Sequence, residues 1–175
     1  EELQAIDAYA AGFGIEVIPF IQTLAHLNEL KKWKQYSSLF DCADILLCGD
    51  ERVYNLIRKE LKMLSECFSS KKIHIGMDEA FLLGRGRYLD LNGYRDATQI
   101  FVEHLDRVVS IAKEFGYSPM IWGDMFNSFI GRDFDEGTGG ADKIHKDVEL
   151  VYWDYYSTEK EHYDEQIKQY LRFGS

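Results

Sequence analysis

The sequence predicts an α/β fold in which parallel strands alternate with helices. Four short runs are apolar on both faces, as strands are when helices cover both sides of a parallel sheet. These runs span residues 16–21, 72–76, 120–123 and 149–153. Helical patterns precede and separate them, so the predicted order is a helix followed by repeated strand–helix units. With 175 residues and 46% apolar content, the chain can bury a hydrophobic core.

The predicted helices are recognised by apolar side chains that recur every three or four positions. This spacing occurs in residues 1–11, 52–68 and 98–115. Gly116 is a natural stop for the third of these helices, because glycine readily adopts the left-handed conformation that ends a helix. A last helix is predicted where Thr158 and Glu161 have capping-box spacing, and it closes at Gly174.

Polar side chains end the predicted strands, which is the edge where α/β proteins keep their binding sites. They are Gln22, Asp78, Glu79, Asp124 and Asp154. Two long polar loops, residues 84–95 and 127–146, also follow strand ends and are candidate site loops. An open doubly wound sheet and a closed (β/α)₈ barrel both fit this pattern. A dinucleotide-binding fingerprint is absent, because Leu89 stands where the motif needs its third glycine.

Composition and charge limit the kinds of partner. A net charge of −10 and a pI near 4.9 argue against nucleic acid, since that affinity comes from neutralising phosphates with Lys and Arg. No apolar run approaches the roughly 18 residues of a membrane span, so no membrane partner is expected. Cys42, Cys48 and Cys67 show no disulfide or zinc spacing, which favours a reducing compartment such as the cytoplasm. We expect no cofactor and no metal.

Residues 73–79 (IHIGMDE) form the most informative segment. Alternate side chains share a face along a strand, so His74, Gly76 and Asp78 should point one way. Asp78 and Glu79 then end the strand as neighbouring carboxylates. Like charges disfavour double ionisation, so one carboxyl can stay protonated as a general acid while the other stabilises charge. A pair of exposed acidic residues at a strand end is the simpler alternative.

The pattern His-x-Gly-x-Asp-Glu at a strand end resembles the signature of family 20 glycoside hydrolases, the β-N-acetylhexosaminidases. Residues 16–26 (EVIPFIQTLAH) are similar to the third strand of that family and the histidine after it. Residues 120–124 (MIWGD) and 151–156 (VYWDYY) resemble its fifth and sixth strands. Gln22 stands where many members have Asp, Leu24-Ala25 replaces Pro-Gly and Met77 replaces a Gly. These departures affect the shape of the pocket and leave both carboxylates in place.

The resemblance implies substrate-assisted, retaining hydrolysis of a terminal β-linked N-acetylhexosamine, either GlcNAc or GalNAc. Asp78 would orient the acetamido N–H and stabilise the oxazolinium, while Glu79 would protonate the leaving oxygen and then activate water. His26 would lie near Glu79 and help to set its protonation state. The remaining expected sugar contacts are apolar walls from Trp122 and Trp153, an acetamide hydrogen bond from Tyr155, and sugar-hydroxyl contacts from Asp124 and Asp154.

The resemblance also implies a (β/α)₈ barrel, of which residues 1–175 would be an incomplete catalytic domain holding about strands three to six. A full barrel takes about 250 residues. An arginine and a further tryptophan that the family uses would lie outside this stretch, so we expect weak or no sugar binding by the fragment alone. Unpaired strand edges would favour self-association.

Two other functions remain open from the sequence. A noncatalytic carbohydrate-binding or scaffolding fragment would bind sugar without turnover. A metal-dependent hydrolase would use His74, Asp78 and Glu79 as ligands, because imidazole and carboxylate suit several divalent ions. This second alternative is disfavoured, because His74 should lie too deep in the strand to share a site with Glu79.

Overall fold

A parallel sheet with helices around it organises the chain; the structure, a computed structural model, describes residues 1–129 and 145–172. The strands β1 (Lys72–His74), β2 (Ser118–Trp122) and β3 (Glu149–Val151) pair in the order β1-β2-β3, all parallel. The helices are α1 (Glu2–Ala11), α2 (Asn28–Lys31), α3 (Glu51–Cys67), α4 (Arg87–Asn92), α5 (Ala97–Glu114), α6 (Asp124–Phe129) and α7 (Lys160–Arg172). A 3₁₀ turn covers Ser37–Leu39.

Residues 16–21 run beside β1 without forming a regular strand, so that part of the prediction is wrong. The Ile21 N–H donates to the His74 carbonyl at 2.9 Å, the His74 N–H donates to the Pro19 carbonyl at 2.9 Å, and Phe20 makes one parallel bridge with His74. Proline has no N–H to give to a ladder, which shortens regular pairing here. The segment still lies along the edge of β1 that faces away from β2. The spatial order is therefore residues 16–21, β1, β2 and β3, which is the same as their order in the chain, as in a barrel.

The two long helices were predicted to within one residue at each end. Asp50 caps α3 by accepting from the Arg52 N–H, and Asp96 caps α5 by accepting from the Thr98 and Gln99 N–H groups. Gly116, at φ +74°, follows the end of α5 as expected. The buried faces of α3 and α5 pack against each other, with fully buried side chains such as Leu61 and Phe101 in the core. Each such side chain stabilises the fold by about 1.5–3 kcal/mol.

Three local predictions differ from the structure or fall outside it. The loop over residues 84–95 contains the short helix α4. The predicted capping box is not formed, because α7 begins at Lys160 and the Thr158 hydroxyl donates to Glu159. Most of the other long loop, residues 130–144, lies outside the described residues.

Two chain-wide features concern membranes and thiols. Within residues 1–129 and 145–172, no helix is both long and apolar enough to cross a bilayer. Cys42, Cys48 and Cys67 are free thiols. Burial raises the pKa of the Cys48 thiol well above its usual range, so this cysteine is a neutral core side chain.

Candidate active site

An open pocket of about 320 Å³ lies where the strands reach their carboxyl ends. Its lining consists of Phe20, Gln22, His26, Asp78, Glu79, Trp122, Trp153, Tyr155 and Tyr156. Each segment of the sheet therefore contributes at its carboxyl end. Both predicted catalytic carboxylates and both predicted tryptophan walls line the same pocket, together with His26 and Tyr155. The other two predicted site residues, Asp124 and Asp154, lie outside the lining.

The backbone around the carboxylates adopts an unusual conformation. Three residues that carry side chains have positive φ here: His26 at 59°, Met77 at 71° and Glu79 at 52°. Such left-handed conformations cost about 1–3 kcal/mol each for non-glycine residues and tend to cluster at functional sites. Gly76, at φ 68°, begins this departure from strand geometry directly after β1 and Ile75. Local strain thus coincides with the segment that carries both carboxylates.

Both oxygens of Asp78 are held by neighbouring side chains. The Gln22 amide nitrogen donates to Asp78 Oδ1 at 2.8 Å, and His26 Nε2 lies 3.2 Å from Asp78 Oδ2. The Asp78 side chain is only 16% exposed. These two contacts, one on each oxygen, restrict rotation of the Asp78 carboxyl group.

Glu79 is the more accessible of the two carboxylates, with a side chain 42% exposed. Its Oε2 lies 3.3 Å from the same His26 Nε2 that approaches Asp78. One imidazole nitrogen can donate its proton to only one acceptor at a time, so His26 couples the two carboxylates. Glu79 is anchored through its backbone, whose N–H donates to Asp124 Oδ2 at 3.0 Å.

Asp124 lies outside the pocket lining and contacts the backbone of Glu79. Burial raises its pKa above the usual range and the charge of Asp78 adds to this, while the Glu79 N–H acts in the opposite direction. The Trp153 indole N–H also favours the charged form. Even so, Trp153 Nε1 and Asp124 Oδ1 fall short of hydrogen-bond geometry, and both atoms are buried without a partner. Asp124 thus contacts the backbone of Glu79, and its predicted contact with a sugar hydroxyl stays a prediction.

Asp154 fixes the turn between β3 and α7. It accepts from the Tyr156 N–H at 2.7 Å and from the Tyr152 hydroxyl at 3.1 Å, and His162 Nε2 lies 2.6 Å from its Oδ2. These contacts, the Tyr156 N–H first, hold the pKa of Asp154 below its usual range. The carboxylate thereby positions the chain that carries Tyr155. Its predicted sugar-hydroxyl contact likewise stays a prediction.

Aromatic side chains wall the pocket on two sides. The Trp122 ring lies 4.3 Å from the His74 ring and 6.3 Å from the Phe20 ring, centroid to centroid. Across the pocket, Tyr155 stacks on Trp153 with centroids 5.4 Å apart and an interplanar angle of 30°. Flat apolar faces of this kind suit a sugar ring or an acetamido methyl group.

His74 lies inside the sheet layer, beneath the pocket. Its Nδ1 accepts from the Gly76 N–H at 3.1 Å, and burial lowers its pKa to about 4, so the ring is neutral near pH 7. Across residues 1–129 and 145–172, no three His, Cys, Asp or Glu side chains are placed to hold a metal ion. The metal-hydrolase alternative gains no support from the part of the chain that the structure describes.

Three lining residues had no predicted role: Gln22, Phe20 and Tyr156. Gln22 was recognised only as a polar strand end and a departure from the family pattern. Phe20 lies two positions before Gln22, and the alternation of an extended chain could have placed both on one face. Tyr156 sits in an irregular turn, where no periodic signal exists.

A larger cavity of about 660 Å³ lies elsewhere, on the helical layer. None of the predicted site residues lines it. Two of its arginines are paired, Arg95 with Glu103 and Arg107 with Glu51. The carboxylate pocket is the better candidate for catalysis, because it combines two neighbouring carboxylates and a histidine with apolar walls.

Comparison with known proteins identifies the family of this chain. The chain belongs to the family described as glycosyl hydrolase family 20, catalytic domain, which it matches over residues 1–171. Among individual proteins, it is similar to human hexosaminidase D, at 28% identity over 153 residues that cover 81% of this chain and 30% of that protein. It is also similar to hexosaminidase D of Bos taurus, at 26% identity over 81% of this chain and 42% of that protein. The chain thus spans less than half the length of these relatives.

Solved structures show the same fold. The family 20 β-N-acetylhexosaminidase from Streptomyces coelicolor A3(2) matches 99% of this chain and 32% of its own, with a TM-score of 0.67 at 19% identity. The exo-β-N-acetylglucosaminidase from Vibrio harveyi, in complex with N-acetylglucosamine, matches 96% of this chain and 26% of its own, with a TM-score of 0.69 at 18% identity. The chain is therefore part of a (β/α)₈ barrel of the family 20 type.

Proposed function

We propose that this chain is part of the catalytic domain of a β-N-acetylhexosaminidase that removes a terminal GlcNAc or GalNAc from a small glycan or glycoconjugate. The observation that carries the proposal is the single pocket shared by Asp78, Glu79, Trp122 and Trp153. It brings together a largely buried carboxylate, a more accessible second carboxylate and two indole side chains. Family membership and the similarity to hexosaminidase D support the same activity.

In the first step, the acetamido oxygen of the substrate attacks the anomeric carbon while the bond to the leaving oxygen breaks. Glu79 gives its proton to that oxygen, which leaves as an alcohol. The bicyclic oxazolinium that forms is positively charged. Asp78 accepts the acetamido N–H and stabilises this charge, and the hydrogen bond from Gln22 together with the neighbouring His26 Nε2 keeps its side chain in place for that role.

In the second step, water attacks the anomeric carbon and the oxazolinium ring opens. Glu79, now ionised, takes the proton from water and is ready for another cycle. Two displacements at one carbon retain its configuration. His26 Nε2 lies 3.3 Å from Glu79 Oε2 and is therefore in contact with the carboxyl group whose charge changes during the reaction. The acetamido group serves as nucleophile, so no enzyme side chain needs to form a covalent bond.

The proposal is tested in a complete catalytic domain that contains this chain, with Glu79→Gln and with nitrophenyl N-acetyl-β-glucosaminide as substrate. Glutamine keeps the shape of the side chain and removes the transferable proton, so kcat should fall by about 10²- to 10⁴-fold. Release of nitrophenol gives the rate. Glu114→Gln is a matched control, because Glu114 is ion-paired with Arg58 on the surface of α5.

Two other outcomes would count against the proposal. Cleavage of a plain nitrophenyl glucoside, with the N-acetyl compound left intact, would contradict substrate assistance. Calorimetric binding of an N-acetylglucosamine thiazoline without any turnover would instead indicate the noncatalytic sugar-binding alternative.

A further inference from the structure

Gln22 makes two hydrogen bonds that meet at the catalytic segment. Its amide nitrogen donates to Asp78 Oδ1 at 2.8 Å, and its amide oxygen accepts from the Met77 N–H at 3.2 Å. The second bond fixes which end of the amide faces Asp78, because an amide whose oxygen is used by Met77 can present only its N–H groups to the carboxylate. Gln22 therefore approaches Asp78 as a neutral donor.

The chain makes room for this amide at Gly76. A Cβ at that position would lie 2.1 Å from Gln22 Oε1, closer than real Cβ atoms come, and 3.1 Å from the Ile21 carbonyl oxygen, which is a tight contact. Gly76 also has φ 68°, which glycine adopts at little cost. The backbone that leads to the carboxylates is thus shaped around the Gln22 side chain.

The charges around Asp78 show why a neutral donor matters. His26 and Glu79 face it from within the pocket, Asp124 lies behind Glu79, and Asp44 Oδ2 is 4.0 Å from His26 Nδ1. His74, a further titratable neighbour, is neutral near pH 7, and Tyr155 and Tyr156 also line the pocket. The charge of Asp78 already contributes to the raised pKa of Asp124, and a further carboxylate at position 22 would add negative charge directly beside Asp78.

We propose that Gln22 is a positioning residue that fixes one oxygen of Asp78 by hydrogen bonding without placing a further charge beside it. The inference rests on the proposed hydrolase function, in which Asp78 must carry a negative charge. With His26 Nε2 at the other oxygen, Gln22 completes a two-sided clamp. Its amide donates to Asp78, whereas an acid at this position would compete with Asp78 for a proton.

The decisive variant is Gln22→Glu, which keeps the length and the Met77 contact while replacing the N–H donor with a carboxyl group. Two carboxyl groups at this separation share a proton, so Asp78 loses its charge at a higher pH. We expect the acid limb of the kcat/KM profile to move up by about one pH unit or more, with the alkaline limb unchanged. A merely structural loss would lower activity equally at every pH.

Two further variants separate the parts of the clamp. Gln22→Met keeps the approximate shape, adds no charge and removes both hydrogen bonds, so kcat should fall by about 10- to 100-fold and the acid limb should move up by less than in Gln22→Glu. Gln99→Glu makes the same amide-to-acid change in the exposed first turn of α5 and should leave the profile unchanged. Thermal melting by circular dichroism establishes that each variant is folded.

Binding of N-acetylglucosamine thiazoline, measured by calorimetry from acid to neutral pH, gives a readout without turnover. The affinity of Gln22→Glu should drop at a higher pH than that of the wild type. If the wild type turns over substrate or binds thiazoline while the pH profile of Gln22→Glu stays the same as that of the wild type, the proposed role of Gln22 is overturned and the hydrolase proposal stands. These measurements use a complete catalytic domain, because weak or no sugar binding is expected of residues 1–175 alone. A complete domain that neither turns over substrate nor binds thiazoline overturns both the hydrolase proposal and this one.

Discussion

At the scale of single residues, the site depends on side chains that position the residues of the proposed reaction. Asp124 was expected to contact sugar hydroxyls, yet it accepts the Glu79 N–H at 3.0 Å from outside the pocket lining. Glu79 adopts φ 52°, a conformation that needs support from its surroundings. We infer that Asp124 acts on the reaction through the position of Glu79.

Asp124→Ala tests this inference. Removing the acceptor frees the Glu79 backbone, so kcat should fall by about 10- to 100-fold with little change in KM. Asp124→Asn keeps an oxygen acceptor and should recover most of the loss. Asp90→Ala, on the exposed face of α4, is the matched control. A rise in KM at constant kcat would instead indicate the predicted contact with a sugar hydroxyl.

At the scale of elements, a buried histidine on α5 joins that helix to the segment that carries Gln22 and His26. His104 Nε2 lies 2.9 Å from the Thr23 carbonyl oxygen, and His104 Nδ1 lies 3.2 Å from the Tyr54 hydroxyl of α3. Thr23 in turn donates its hydroxyl to the Ile75 carbonyl at 2.7 Å. The two long helices therefore hold the loop against the end of β1.

His104 also makes stability depend on pH. Burial lowers its pKa to about 4 from the usual 6.5, so between these values the unfolded chain binds a proton that the folded chain does not. The contribution of His104 to the free energy of unfolding is thus fully present above pH 6.5. It falls as the pH drops toward 4, by at most about 3 kcal/mol. Glu60, whose pKa burial raises to about 7, has the opposite effect, because its contribution is lost as the pH rises.

His104→Phe isolates the contribution of His104 to the pH dependence of stability, because Glu60 and His74 remain in both proteins. The variant should be less stable than the wild type at pH 7, where the bonds to Thr23 and Tyr54 are lost. The difference in free energy of unfolding between the wild type and the variant should narrow toward pH 4 by up to about 3 kcal/mol. Urea unfolding at a series of pH values would measure this difference. A difference that stays constant with pH would contradict a neutral, buried His104.

At the scale of the whole molecule, the described sheet has two open edges. Residues 16–21 cover one edge of β1, and within the described ranges nothing pairs with their outer side or with the far edge of β3. Helix α1 buries none of its residues, and large apolar side chains around it are exposed. They include Ile6 at 56%, Tyr9 at 73% and Phe13 at 67%. Such a surface favours association.

We therefore predict that the chain self-associates. Light scattering should give a mass above the 20.4 kDa of one chain, and Ile6→Lys should shift the distribution toward that value. Leu91→Lys, an equivalent change at a 62% exposed position on α4, should have no such effect. A clean monomer at high concentration would refute self-association.

Much of the molecule follows from local sequence. Helices α3 and α5 were predicted to within one residue, because the apolar spacing of both helices, and Gly116 after α5, act over a few positions. The adjacency of Asp78 and Glu79 and the polar strand ends are likewise visible in the sequence, and they led to the pocket. The strand predicted over residues 16–21 was wrong, because pairing depends on partners as well as on apolarity.

The sequence by itself determined the alternation of strands and helices, the parallel sheet and the residues that gather at its carboxyl edge, since short-range periodicity encodes all three. Only the tertiary structure decided which atoms meet there. Gln22 and His26 reach the two oxygens of Asp78, Asp124 lies behind Glu79, and Asp154 braces a turn. Such contacts join residues up to 56 positions apart, and their geometry depends on left-handed backbone turns that no periodic pattern encodes.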